Sequence, residues 1–131
     1  MTPLTRPSDL KSRTKQFALR VIQLYSALPN STPAQVIGRQ LLRSGTSVGA
    51  QYREAIRSRS DAEYISKVIV ALQELEETVY WFELLIEART VGKSRLADLL
   101  CEADELTAIL VSCFKKSRSR QPNMKSRPPK G

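Results

Sequence analysis

LLRSGTSVGAQYREA, residues 41–55, reads as a helix whose interior is built from side chains too small to fill a core. Leu41, Val48, Tyr52 and, just beyond, Ile56 keep helical spacing, and Gly45 occupies the slot between the first two. Between them stand Ser44, Gly45, Thr46, Ser47 and Gly49. Each mid-helix glycine costs about 1 kcal/mol against alanine. Serine and threonine are no better than neutral there, because their hydroxyls compete for the backbone. A chain that gives up helix stability in this way admits another backbone very close, so this face is expected to meet a neighbouring helix tightly.

Working outward, Thr32 and Pro33 supply an N-cap and a first helical residue, and the second helix is expected over 33–58. Ser60 followed three residues later by Glu63 is a capping box, which opens a third helix over 61–89. So short a turn makes the two helices antiparallel neighbours, with facing residue numbers adding to about 120. Gly49 then falls opposite Ala71 and Gly45 opposite Leu75, and Arg43 comes near Glu77 and Glu54 near Lys67 as interhelical ion pairs.

The first helix is expected over 8–28, capped by Ser8, stopped by Pro29 and buried along Leu10, Phe17, Val21, Leu24, Tyr25 and Leu28. Gly92 reads as the stop of the third helix and Ser94 as the cap of a fourth over 95–116. Residues 1–7 and the basic, proline-bearing 117–131 lack the apolar content to fold and are expected to be disordered. The second half of the third helix is apolar nearly all round. Tyr80, Trp81, Leu84 and Leu85 are therefore expected at a contact between subunits, since large apolar patches mark interaction surfaces.

The chain of 131 residues is of single-domain size. It has no histidine, which removes Ser-His-Asp and Cys-His catalysis and every zinc site that needs an imidazole. Cys101 and Cys113 lie on one helix about 18 Å apart, too far to pair, and are expected as buried thiols. No apolar run reaches the roughly 18 residues of a membrane span and no signal peptide opens the sequence, so a cytoplasmic location is expected. Net charge is +8, unevenly spread. Residues 1–59 carry ten Lys and Arg against two acids, 60–114 four against eleven, and 115–131 seven against none. A basic first half could meet an acidic second half of a neighbouring copy.

RSGTSVG lacks the lysine and the preceding strand of a phosphate loop. Arg43, Glu54, Lys67 and Glu74 come with no nucleophile, so no catalytic residue, metal or cofactor is expected.

RSGTSVGA, together with DAEYISKVIVALQELEETVYWFELL and EADELTAIL, resembles the bacterial four helix bundle protein family, whose founding members are encoded in intervening sequences of large-subunit ribosomal RNA genes. The resemblance runs from about Phe17 to Phe114. It implies an all-α, antiparallel up-down four-helix bundle assembling as a ring-shaped homopentamer. It also implies similarity in fold to the accessory proteins of diversity-generating retroelements, which bind nucleic acid and a reverse transcriptase. It names no catalytic residues.

The expected function is a non-enzymatic scaffold that binds RNA or DNA without strong sequence preference. The contacts would come from Lys115, Lys116, Arg118, Arg120, Lys125, Arg127 and Lys130 of the tail, joined by Arg13, Lys15, Arg39 and Arg57. The alternative is an adaptor ring that holds a protein partner, with the basic charge incidental.

Overall fold

The computed structural model describes residues 7–120, and these form four helices with no strand among them. Helix α1 is Pro7–Ser26, α2 Thr32–Ile56, α3 Asp61–Glu87 and α4 Lys93–Ser119. Each packs against the next in an up-down bundle, and α1 closes on α4 along the sparsest of the four seams. α2 is unbroken through its glycines.

The centre is a continuous apolar cluster in which Phe17 meets Phe82 edge to face, their ring centroids 6.4 Å apart. Tyr52, Leu10, Leu41, Leu75, Leu85, Leu96, Leu106 and Leu110 are fully buried around them. Each such side chain contributes roughly 1.5–3 kcal/mol on leaving water.

α2 and α3 form the most extensive seam of the bundle, where Ser44 of the small-residue run meets Thr78, but Gly45 and Gly49 themselves face α1. A β-carbon on Gly45 would lie 2.9 Å from both Cγ1 and Cγ2 of Val21. On Gly49 it would meet Thr14 Oγ1 at 3.1 Å and the Thr14 backbone carbon at 3.4 Å. Gly38, outside the quoted stretch, is a third such position, against Leu28 at 2.7 Å and Tyr25 at 2.9 Å. Ala71 and Leu75 are fully buried in the core, yet the nearest neighbours of the two glycine positions lie on α1. The spacing of small residues fixes which face is close; it carries no information about which of two antiparallel neighbours fills it.

Register between α2 and α3 is held by polar pairs instead. The Ser44 and Thr78 hydroxyls sit 2.8 Å apart, both fully buried, and Thr78 also reaches the Glu74 carbonyl at 2.8 Å. Arg43 pairs with Glu77 and, at 3.2 Å, with Glu74, and Lys67 reaches Glu54 at 2.7 Å.

Several helix ends differ from the sequence expectation. α1 opens at Pro7, which puts Ser8 inside the helix, and it ends at Ser26. The N-cap of α2 is Ser31, whose Oγ accepts from the Ala34 amide at 3.4 Å, so Thr32 is already helical. Ser60 caps α3 by accepting from the Glu63 amide at 3.1 Å, while Glu63 reaches back past the cap to the Arg59 amide at 3.1 Å. α4 begins at Lys93, making Gly92 and not Ser94 its N-cap, and it continues to Ser119, beyond the expected start of the tail. α3 stops at Glu87, two residues early.

Arg89, not Gly92, is the left-handed residue that ends α3, with φ 59°. Its amide bonds the Ile86 carbonyl at 2.9 Å and the Thr90 amide bonds the Leu85 carbonyl at 2.9 Å, the paired pattern of a Schellman motif. The left-handed conformation costs a non-glycine residue about 1–2 kcal/mol. Arg89→Gly is accordingly expected to raise stability by roughly 0.5–1 kcal/mol in denaturant unfolding. A loss of stability would mean that the Arg89 side chain makes compensating contacts.

Candidate nucleic-acid interface

An up-down bundle brings the start of α1, the end of α2, the α2–α3 turn, the start of α3 and the end of α4 to one pole. Several basic residues of the chain gather there, while Arg39, Arg89, Lys93 and Arg95 are exposed toward the opposite pole. Arg57, Arg59, Lys115, Lys116 and Arg118 are exposed at this pole, and Arg53 is half-buried one turn before Arg57, whereas Lys15 is exposed midway along α1, near the level of Glu102 and Glu105 that its neighbour Arg13 clamps. The Arg118 guanidinium lies 5.8 Å from the centroid of the Phe114 ring, a cation–π distance that leaves its outer face to solvent. Arg53 and Arg59 are not among the expected contacts; only the return of the chain at the α2–α3 turn brings Arg59 to the opening it shares with Arg120 at the end of α4.

Other expected contacts are already paired within the bundle or distant. Arg13 spans the α1–α4 seam, its guanidinium donating to Glu102 at 2.6 and 3.0 Å and to Glu105 at 2.8 Å. These carboxylates hold Arg13 well above the ordinary arginine range, and its side chain is 24% exposed. It is a structural clamp and not a free cation. Arg120 reaches Asp61 at 3.5 Å and Ser117 at 3.0 Å. Arg39 is exposed but stands 18 residues before Arg57 on the α2 axis, about 27 Å away and toward the opposite pole. Lys125, Arg127 and Lys130 lie outside the described residues.

Arg13 and Arg43 also alter the expectation of charge complementarity between copies. Both belong to the basic first half and both are neutralised by acids of α3 or α4 within the same subunit. The charge split therefore serves intramolecular packing first.

Arg43 holds the Glu77 carboxyl below its usual range, aided by the Trp81 indole N–H, which donates to Glu77 at 3.1 Å. A lowered folded-state pKa gives stability that is present above the unfolded value and lost as pH falls through the folded one. Arg43 is 50% exposed, which limits the pair to about 0–1 kcal/mol. The expected result is that Arg43→Ala melts below wild type at neutral pH and that the gap closes on acidification below the ordinary glutamate range near pH ~4.3. A gap independent of pH would assign the effect to packing of the arginine stem.

Of the four residues expected at a subunit contact, Tyr80 is 52% exposed. Trp81 and Leu84 are half-buried, and Trp81 packs both on the core and edge-on to Tyr80, 5.1 Å between centroids. Leu85 is fully buried within the subunit. Its place in the interface is thus withdrawn: α4 packs over that side of α3, so the all-round apolar character is largely used inside the bundle. What stays uncovered is a strip carrying Ile69 and Tyr80, eleven residues and so about three turns apart on α3.

Cys113 is buried, whereas Cys101, expected to be buried, is exposed on the outer face of α4. Beside Cys113, burial pushes the Tyr52 phenol up to about 12, and its hydroxyl has no hydrogen-bond partner among the described residues. Among those residues no helix is long and apolar enough to cross a membrane, and no group of three His, Cys, Asp or Glu could hold a metal ion.

Residues 7–112 match the family model of the 23S rRNA-intervening sequence protein. The fold is similar to the crystal structure of a protein of unknown function from the S23 ribosomal protein family of Bacteroides thetaiotaomicron VPI-5482. The two share 37% identity and a TM-score of 0.79, with 83% of this chain and 97% of that one covered. No curated protein matches the chain.

Proposed function

From a chain that belongs to the 23S rRNA-intervening sequence protein family, we propose a non-enzymatic four-helix-bundle scaffold that holds RNA or DNA by its phosphate backbone and assembles with copies of itself. The observation that carries this reading is the gathering of Arg57, Arg59, Lys115, Lys116 and Arg118 in exposed positions at one pole. Side chains from the C-terminal ends of α2 and α4 and from the α2–α3 turn can there reach phosphates together. Contacts of this kind displace counterions and read no bases, so binding is strong at low salt and tolerant of sequence. Assembly into a ring, five-membered by the family resemblance, would repeat the pole and raise avidity without new contacts.

Polarisation titration of labelled RNA and DNA at two salt concentrations tests the reading. With six or more phosphate contacts, affinity is expected to fall by about 10³-fold or more between ~50 and ~200 mM salt. Reversing Lys115 and Lys116 to glutamate should weaken every sequence alike and flatten the salt dependence. No binding at low salt would remove the proposal.

A further inference from the structure

The α2–α3 turn and the end of α4 enclose an open cleft of about 620 Å³ at the basic pole, lined among others by Ile56, Arg59, Asp61, Tyr64 and Arg120. That volume falls within the roughly 300–1,000 Å³ typical of ligand sites. Its lining joins two kinds of chemistry. Ile56, 36% exposed, and Tyr64 offer an apolar and aromatic surface, while Arg59 and Arg120 bring two guanidiniums to the same opening. Arg120 is held by Asp61 at 3.5 Å, the longest ion pair among the described residues, with side chains 60% and 38% exposed. A pair so open to solvent contributes little and yields readily to a phosphate. The neighbouring hydroxyls are engaged: Ser60 Oγ accepts from the Glu63 amide and Ser58 Oγ donates to the Glu54 carbonyl.

We propose that this cleft seats one unpaired nucleotide of a single-stranded nucleic acid, its base against Tyr64 and Ile56 and its phosphate between Arg59 and Arg120. The inference rests on the nucleic-acid reading above and adds to it a preference for single strands. A duplex offers phosphates to the pole but keeps both faces of each base stacked, so only an unpaired base can reach the aromatic wall. Stacking on Tyr64 is tolerant of base identity, because every base offers a π-face.

The test compares a fluorescein-labelled single strand with the matching blunt duplex at one fixed salt concentration. Ile56→Glu and Tyr64→Leu remove the apolar seat, Tyr64→Phe keeps the ring, and Lys115→Glu changes charge at the same pole outside the cleft. Ile56→Glu and Tyr64→Leu are expected to lose about 10-fold in single-strand affinity, the scale of one base stacked on an aromatic side chain. Their duplex affinity should fall no further than that of Lys115→Glu, which weakens both substrates alike. Tyr64→Phe should bind as wild type. Because Ile56 is partly exposed, Ile56→Glu carries the test even if Tyr64→Leu fails to fold. Parallel losses on single strand and duplex would overturn the cleft and leave the basic pole standing. Wild-type protein that binds neither substrate would overturn both.

Discussion

Gly45→Leu is expected to leave the chain unfolded at ambient temperature. The first added carbon alone would stand 2.9 Å from two Val21 methyl carbons, and three more carbons must follow into a fully occupied interface. Val21 is itself completely buried, so it has no free volume to retreat into. Nor can α1 simply shift, because one turn further along α2 Gly49 meets the backbone of Thr14. Extra methylenes in a packed core cost about 1–3 kcal/mol before any helix is displaced. Separating α1 from α2 forfeits a whole contact face, against a total stability of only about 5–15 kcal/mol. Circular dichroism melting reads the loss directly.

A gentler pair of changes shows which helix is close. Gly45→Ala gains about 1 kcal/mol of helix propensity and loses more to the clash. Val21→Ala removes the two carbons responsible. The double variant Gly45→Ala, Val21→Ala is therefore expected to be more stable than the sum of its parts by about 1 kcal/mol or more, whereas Leu75→Ala should add independently. Coupling to Leu75 and none to Val21 would place the tight contact on α3 instead.

The second large effect separates the inside of α3 from its outside. Leu85→Asp buries an unpaired carboxylate in the apolar centre and is expected to abolish folding, since such burial costs several kcal/mol. Tyr80→Asp changes a residue 52% exposed and is expected to leave helicity and melting of the subunit nearly intact. If the Ile69–Tyr80 strip is the contact between copies, that same substitution should lower the solution mass in light scattering. A folded Leu85→Asp protein of reduced mass would return Leu85 to the interface. A Tyr80→Asp protein of unchanged mass would put the contact elsewhere.

The two ends of α3 show where local sequence is and is not sufficient. The Ser60 cap could be recognised because a cap is a contact within four residues. The end of α3 could not. Gly92 is the residue suited to a positive φ, yet the chain turns at Arg89, so that Val91 swings into the core. Burial of Val91 outweighs the strain at Arg89, and burial is not a local property. The burial of Thr14 is likewise not a local property. This side chain is fully buried because Gly49 leaves room only for a small neighbour, and its own hydroxyl is satisfied by the Lys11 carbonyl at 3.2 Å.

Periodicity, caps and the small-residue run by themselves determined that this chain makes four helices, that α2 and α3 form an antiparallel hairpin, and which face of α2 is close-packed. These follow from interactions a few residues apart or from one short turn, which primary structure records. Tertiary structure alone decided that α1 is the helix lying on the glycines, that Arg13 clamps a seam while Arg59 stays open, and that Leu85 is interior. Each of these depends on which faces meet across the bundle. Residues distant in the chain share no spacing that could announce it.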